Sequence, residues 1–371
     1  MLFKCGNTGP GFEDALTDKV PVQRARGANG HLNVDMHCHA VSQAANKLAA
    51  EKAGKPTPPE KEPMGFFASA ETKHINAEHG KITAPKMMSM EQRLADMDFM
   101  GIDVQVVSTS PQQYYHWTEP EVGVELAKLV NDNLADMAAR HPDRFVPVGT
   151  LPMQDPKASQ AELERCIQNG FKGIQFCTNI LGEELSNEKF HPLYRRMEET
   201  NTVMFLHPMG FSDGKRFATH YFNNLIGNPL DTTTAVGHLI FDGVLDKMPG
   251  LKICLPHAGG YLGAYPGRFD HAYCARPDCR LHARQLPSEY LKKMFFDIIT
   301  FDAQQLEALV AKWGPEQVLL GTDYPFDMGE DDPLGVIDQL KISEQAKNRI
   351  RGANAMELLG LKAEMLKAKK A

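Results

Sequence analysis

The sequence predicts a parallel (β/α)8 TIM barrel, built as one domain with a lid inserted after its first strand. Three observations predict it. Short apolar runs alternate with amphipathic helical runs, and eight of the short runs can be counted. Those runs are continuously apolar, as expected of parallel strands buried on both faces. The polar residues that interrupt apolar context sit just past the ends of those runs, where a barrel gathers its active-site groups at one mouth. A doubly wound open sheet is the alternative. It is disfavoured because no glycine-rich phosphate turn follows the first strand.

Residues 1–30 are glycine-rich and irregular, and are read as an N-terminal arm that packs on a partner subunit. The barrel domain is placed at 31–371, with its first strand at 32–36. Residues 41–89 form a long connection holding Pro56, Pro58, Pro59, Pro63, His74 and His79. Connections of this length in a compact domain are usually functional or disordered, and directly after the first strand a lid is the preferred reading. From Ser89 the pattern turns regular. Helices are expected at 90–100, 119–140, 156–169, 187–200, 231–247, 303–313 and 343–359, from apolar residues recurring on one face. Gly170 supplies a stop for the third of them. Strands are expected at 103–108, 145–151, 173–177, 203–207, 251–255, 295–299 and 318–320.

Bulk properties narrow the function classes. A chain of 371 residues suits one large α/β domain. Net charge is −7 and the pI about 6.1, with Lys and Arg scattered, so no nucleic-acid footprint is expected. The lysine-rich end at 367–370 reads as a solvated tail. No apolar run has the length of a membrane span, and residues 1–23 lack the pattern of a signal peptide. Of seven cysteines, Cys274 and Cys279 could pair, while Cys38, Cys166, Cys177 and Cys254 lie in or near apolar segments. They are read as reduced thiols of a cytoplasmic protein.

The chemistry centres on Val34-Asp35-Met36-His37-Cys38-His39. Residues i and i+2 of a strand share a face, so His37 and His39 present two imidazoles side by side. His207 ends the fifth strand, His257 follows the sixth, and Asp323 follows the eighth in Gly321-Thr322-Asp323-Tyr324-Pro325. Three imidazoles and one carboxylate, His37, His39, His207 and Asp323, suit one divalent metal per chain. Zinc is expected first and manganese is the alternative. Such a centre lowers the pKa of bound water to about 7. His257 is either a fourth imidazole ligand or a free acid/base. The second is preferred, because the other four already fill a mononuclear site. Lys172, beside the fourth strand, could be the carbamylated bridge of a binuclear centre, but a surface lysine is the better reading. Trp117, with Tyr114, Tyr115 and His116, could stack on a planar substrate or simply pack. Phe217, Tyr221 and Phe222 carry the same ambiguity.

With these residues in view, the chain resembles the amidohydrolase superfamily. Within it, the likeness is to the branch holding 2-amino-3-carboxymuconate-6-semialdehyde decarboxylase and related aromatic-acid decarboxylases. The resemblance runs from about residue 32 to 360. It is carried by Asp-Met-His-Cys-His at 35–39, by Met97-Asp98 with Gly101-Ile102-Asp103-Val104-Gln105-Val106, by His207-Pro208, by Ile253-Cys254 through Arg268, and by 320–326. It implies the same four metal ligands, with His257 and Asp323 as catalytic groups. It also implies a homodimer in which Arg268 reaches into the neighbouring subunit's site to hold a substrate carboxylate. The branch carries a second substrate-binding arginine before the helix that begins near Glu91. Here Ile75 to Met90 holds no arginine, and Lys81 or Lys86 is the nearest substitute. A lysine neutralises a carboxylate without forking onto it. The implied reaction is metal-dependent, non-oxidative decarboxylation of an aromatic or muconate-semialdehyde-type acid, with a small carboxylate as the partner molecule. Hydrolysis or hydration on the same site is the nearest rival, and a purely structural metal the remoter one.

Overall fold

A computed structural model describes residues 31–52 and 63–362. The expected N-terminal arm (1–30), prolines 56, 58 and 59 of the insertion, and the lysine-rich tail lie outside the described residues. Eight parallel strands follow one another in sequence order around a single sheet. They are β1 (Val34–Ala40), β2 (Val104–Thr109), β3 (Phe145–Gly149), β4 (Gly173–Phe176), β5 (Val203–Leu206), β6 (Ile253–Leu255), β7 (Phe295–Asp297) and β8 (Val318–Leu319). The ends of the sheet meet through backbone hydrogen bonds. Met36 N donates to the Leu320 carbonyl at 2.8 Å, and His39 N to the Tyr324 carbonyl at 2.8 Å. The expected barrel is therefore the observed one.

The alternation of side chains along a strand sorts two apolar clusters. Met204 and Leu206 of β5 join a cluster with helical residues such as Leu126, Leu134 and Leu239. Val203 and Phe205 of the same strand join Val34, Val146, Cys254 and Leu319, which are sealed by Ala355 and Leu358 near the C-terminus. The expected helices begin where the caps direct. Ser89 accepts from Gln92 N to start Met90–Met100, and Asp302 from Gln305 N to start Ala303–Trp313. Gly101, at φ 74°, ends the first of these.

Several expectations change in detail. His37 and His39 lie inside β1, which extends to Ala40, rather than beyond its end. The insertion is helical, not an irregular loop: Gln43–Lys52 and Ala70–Met88 are both helices. Residues 261–291, unassigned from sequence, hold the helices Tyr261–Ala264, Gly267–Ala275 and Pro287–Leu291. The closing helix is continuous from Glu344 to Leu358, as expected, but is interrupted in its winding by a π-helical segment at Arg349–Ala353. Among the described residues, no helix is long and apolar enough to cross a membrane.

One buried cation ties the insertion side of the barrel to β1. Arg93 is 1% exposed. Its guanidinium donates to the His39 carbonyl and, at 3.0 Å, to Gln105 Oε1, and it lies over the Tyr324 ring. Gln105 passes the contact on, donating to Asp35 Oδ2 at 3.1 Å. Replacing Arg93 with Met leaves two buried acceptors unmet and Asp35 without its indirect countercharge. An Arg93→Met variant is expected to be destabilised by about 2–4 kcal/mol, read as a lower urea midpoint at unchanged slope.

Candidate metal centre

The four predicted ligands converge at the C-terminal mouth of the barrel. One ligand atom from each of His37, His39, His207 and Asp323 lies within 4.8 Å of all the others, and all four residues are buried. The local sequence dictates this. β1 carries the two histidines two residues apart, and a register shift against β2 between Asp35 and Cys38 places a bulge beside His37. Asp35 fixes the backbone beneath: its carboxylate accepts from His37 N at 3.1 Å, Thr322 N at 3.0 Å and Thr322 Oγ1 at 2.7 Å. The Thr322–Asp323 turn is thereby locked to β1, and Asp323 N also donates to the His37 carbonyl at 2.7 Å.

Each imidazole is oriented through its Nδ1. His37 Nδ1 donates to Asp297 Oδ2 at 2.8 Å, His39 Nδ1 to the Thr109 carbonyl at 2.9 Å, and His207 Nδ1 to the Pro208 carbonyl at 2.8 Å. That leaves three Nε2 atoms aimed inward, the arrangement seen when a backbone or carboxylate acceptor fixes a metal-binding tautomer. His37 Nε2 and His39 Nε2 are 3.1 Å apart. Asp323 Oδ1 is 3.3 and 3.2 Å from them. His207 Nε2 and Asp323 Oδ1 are buried with no hydrogen-bond partner. Unpaired lone pairs facing one another in a dry site are costly unless a cation lies among them. The donor set therefore fits a divalent ion.

The charges agree. Burial, and then the neighbouring imidazoles, hold His207 well below its ordinary pKa, and burial lowers that of His39. Both rings are neutral, the form that ligates. Burial also pulls His37 down, but attraction by Asp323 and the bond to Asp297 overcome it and raise the ring to about 10. Burial disfavours the Asp323 carboxylate, yet His37, His257 and His39 together hold it well below the usual range. To hold a divalent ion, His37 would give up this proton, so binding would be coupled to proton release.

His257 stands beside this group without joining it. Its Nε2 is 3.5 Å from Asp323 Oδ2, and its ring centroid is 5.3 Å from that of His37. Its backbone is unusual: His257 and Ala258 have φ of 52° and 53°. Asp297 holds that turn, accepting from His257 N at 2.9 Å and Ala258 N at 2.7 Å while it orients His37. Asp297 was not among the residues singled out from sequence. The signal was present as a carboxylate at the end of an apolar strand, in Phe295-Phe296-Asp297-Ile298-Ile299. Outer-shell carboxylates of this kind are worth 10–100-fold in metal affinity. Asp297→Asn is expected to weaken metal binding by about that factor, measured by titrating the metal-stripped protein against a chelating indicator.

The substrate-side candidates divide. A cavity of about 630 Å³ opens over the centre, lined by His207, His257 and Asp323 and by residues of the helical insertion. Tyr221 lines it. Phe217 packs on Phe211 instead, and Phe222 lies beside His220. Lys81 does not line it: the side chain is exposed and paired with Glu78 at 2.6 Å. Lys86 is also absent from the lining, its Nζ lying 3.4 Å from Asp96. Trp117 lines a separate cavity of about 130 Å³ with Tyr114, Tyr115 and His116. Tyr114 braces the centre, donating to the His207 carbonyl at 2.9 Å and accepting from Gln175 Nε2 at 2.8 Å. Lys172 precedes β4 and so sits at the end of the strand remote from the mouth; the β4 side chain bonded within the site is Gln175. Arg268 is exposed on Gly267–Ala275 and does not line its own chain's cavity.

A parallel barrel with three imidazoles and a carboxylate converging at its C-terminal mouth defines a divalent-metal barrel of the amidohydrolase kind. The chain belongs to the amidohydrolase family, whose profile matches residues 34–361. It is 36% identical over 272 residues to 2-amino-3-carboxymuconate-6-semialdehyde decarboxylase of Dictyostelium discoideum, covering 72% of this chain and 76% of that protein. It is 27% identical to gamma-resorcylate decarboxylase of Rhodococcus jostii, covering 80% and 96%. Among solved structures, 5-carboxyvanillate decarboxylase of Novosphingobium aromaticivorans, complexed with manganese and 4-hydroxy-3-methoxy-5-nitrobenzoic acid, superposes with a TM-score of 0.80. That likeness covers 92% of this chain and 99% of the other at 24% identity.

Proposed function

We propose that this protein is a metal-dependent decarboxylase that releases CO₂ without oxidation from an aromatic or muconate-semialdehyde-type carboxylic acid. The observation that carries this reading is the pairing of a gathered four-residue ligand set with a separate histidine in one cavity. His37, His39, His207 and Asp323 would hold the ion, and His257 would remain free to move a proton. A divalent ion there supplies a Lewis acid for a substrate oxygen. His257 Nε2 delivers a proton to the carbon that bears the carboxylate. The carbon–carboxylate bond then breaks, its electron pair returns to the conjugated system, and CO₂ leaves. Asp297 keeps His257 in place through its backbone, and the helical insertion acts as a lid that limits water.

We assign zinc first to the site, on the ligand types; manganese, the ion of the Novosphingobium structure, is the alternative. The protein acts as a homodimer, with Arg268 of a second copy supplying a cation for the substrate carboxylate; its exposure in the single chain leaves it available for this. The cysteines among the described residues are all unpaired, in keeping with a cytoplasmic enzyme. The test is elemental analysis of the purified protein beside a CO₂-release assay on 2,6-dihydroxybenzoate, 5-carboxyvanillate and 2-amino-3-carboxymuconate semialdehyde. One ion per chain with CO₂ released and no net water uptake supports the reading. Water incorporation without CO₂ moves it to hydrolysis or hydration. Two ions per chain would point to a binuclear hydrolytic site.

A further inference from the structure

The geometry points to a substrate with a single carboxylate, bound at the metal end of the cavity, and a hydroxyl or amino hydrogen on another part of the molecule that is received by Asp327. This inference rests on the decarboxylase reading and narrows its substrate class. Three segments distant in sequence meet on the Asp327 carboxylate. His79, from the inserted helix, donates Nδ1–H to Oδ2 at 3.0 Å. Tyr221, from the loop after β5, donates its hydroxyl to Oδ1 at 3.4 Å. Asp327 itself lies four residues beyond Asp323 on the loop after β8. All three side chains line the cavity over the metal centre.

The charge of that wall decides what it accepts. Among the described residues, no lysine or arginine lines the cavity. The imidazole of His79 is already committed to Asp327, so the pair presents no net positive charge whichever protonation state His79 adopts. The Asp327 side chain is 21% exposed, and each of its oxygens can accept more than one hydrogen. Beside them the wall carries uncharged polar groups, among them the Thr83 hydroxyl and the amides of Asn76 and Asn224. A hydroxyl or amino group entering here finds an ionised acceptor, which is the stronger kind of hydrogen-bond partner. A second carboxylate entering here meets like charge and, among the described residues of the lining, no lysine or arginine. The inserted helix thus acts through His79 as the element that positions the selecting carboxylate.

The experiment uses the full-length, metal-loaded protein and simple acids as probes. Dissociation constants are measured by calorimetry for benzoate, 3- and 4-hydroxybenzoate, and 3- and 4-carboxybenzoate. In the unaltered protein, the better hydroxy acid is expected to bind at least tenfold more tightly than either dicarboxylate. Asp327→Asn is expected to cut that ratio at least tenfold, mainly by admitting the dicarboxylates. Tyr221→Phe, which keeps the carboxylate, is expected to preserve the preference. Metal content and the thermal midpoint of each variant establish that it is folded and loaded. Binding without discrimination, or a ratio that Asp327→Asn leaves unchanged, overturns this inference alone. Binding of none of the acids also overturns it, while the decarboxylase reading stands or falls separately on the CO₂-release assay.

Discussion

Asp323→Ala is expected to yield a folded barrel that holds less than about a tenth of an ion per chain and releases no measurable CO₂. Asp323 is the one anionic member of the four-residue ligand set, and its Oδ1 faces His37 Nε2 and His39 Nε2 at 3.3 and 3.2 Å. Removing it leaves three imidazoles, which provide ligands but no charge to offset a divalent ion in a buried site. The loss should exceed the roughly 10–100-fold of an outer-shell change, because a coordinating atom disappears outright. The fold should survive. The Asp323 backbone N–H still donates to the His37 carbonyl, and Thr322 still caps Asp35. Elemental analysis after dialysis, with circular dichroism as the control for folding, checks this. Retention of one ion per chain would mean that His257 coordinates in place of Asp323, and the separate acid/base would be lost from the mechanism.

The ligand set was legible in the sequence because two local rules expose it. A His-x-His pair on a strand shares one face, and a polar residue after a buried parallel strand lies at the mouth. Both rules need only nearest neighbours. Asp297 was hidden because its importance is long-range: it joins β7 to a histidine 260 residues earlier and to the turn after β6. The inserted helix Ala70–Met88 was hidden for another reason. It spans a cavity instead of lying on a core, and Thr72 and Met87 are its buried residues, so no apolar stripe marks it.

That helix also explains why Lys81 misled. His79, Thr83 and Met87 are spaced by four residues and line the cavity together. Lys81 is two residues from His79, about 200° around the helix, and faces solvent. A connection without an apolar stripe shows no such facing in the sequence, which hides that geometry. Arg268 presents the opposite case. Its expected role depends on a second copy of the chain, which no pattern within one chain can place.

His257→Asn is expected to keep one ion per chain and to lower kcat by about 10³–10⁴-fold, the upper range for loss of a positioned acid/base. The two halves of this result come from one geometric fact: the ring lies next to the ligand set but outside it, with Nε2 3.5 Å from Asp323 Oδ2. The ligands keep their own supports when the ring is removed, since Asp297, Thr109 and Pro208 still fix the three coordinating imidazoles. Asn is the informative replacement. The site has φ 52°, a left-handed conformation that Asn tolerates far better than most residues, and the backbone N–H that Asp297 accepts is retained. The loss then reports on the ring itself and not on a collapsed turn. An amide also cannot carry a proton at neutral pH, so the substrate carbon has no donor in reach while the carboxylate is still bound. The prediction is checked by metal analysis and by kcat and KM measured separately, with KM expected to change by less than about tenfold because binding energy is largely retained. A variant that loses its metal would make His257 a ligand. A metal-loaded variant with unchanged kcat would mean that the proton reaches the substrate from another group in the cavity.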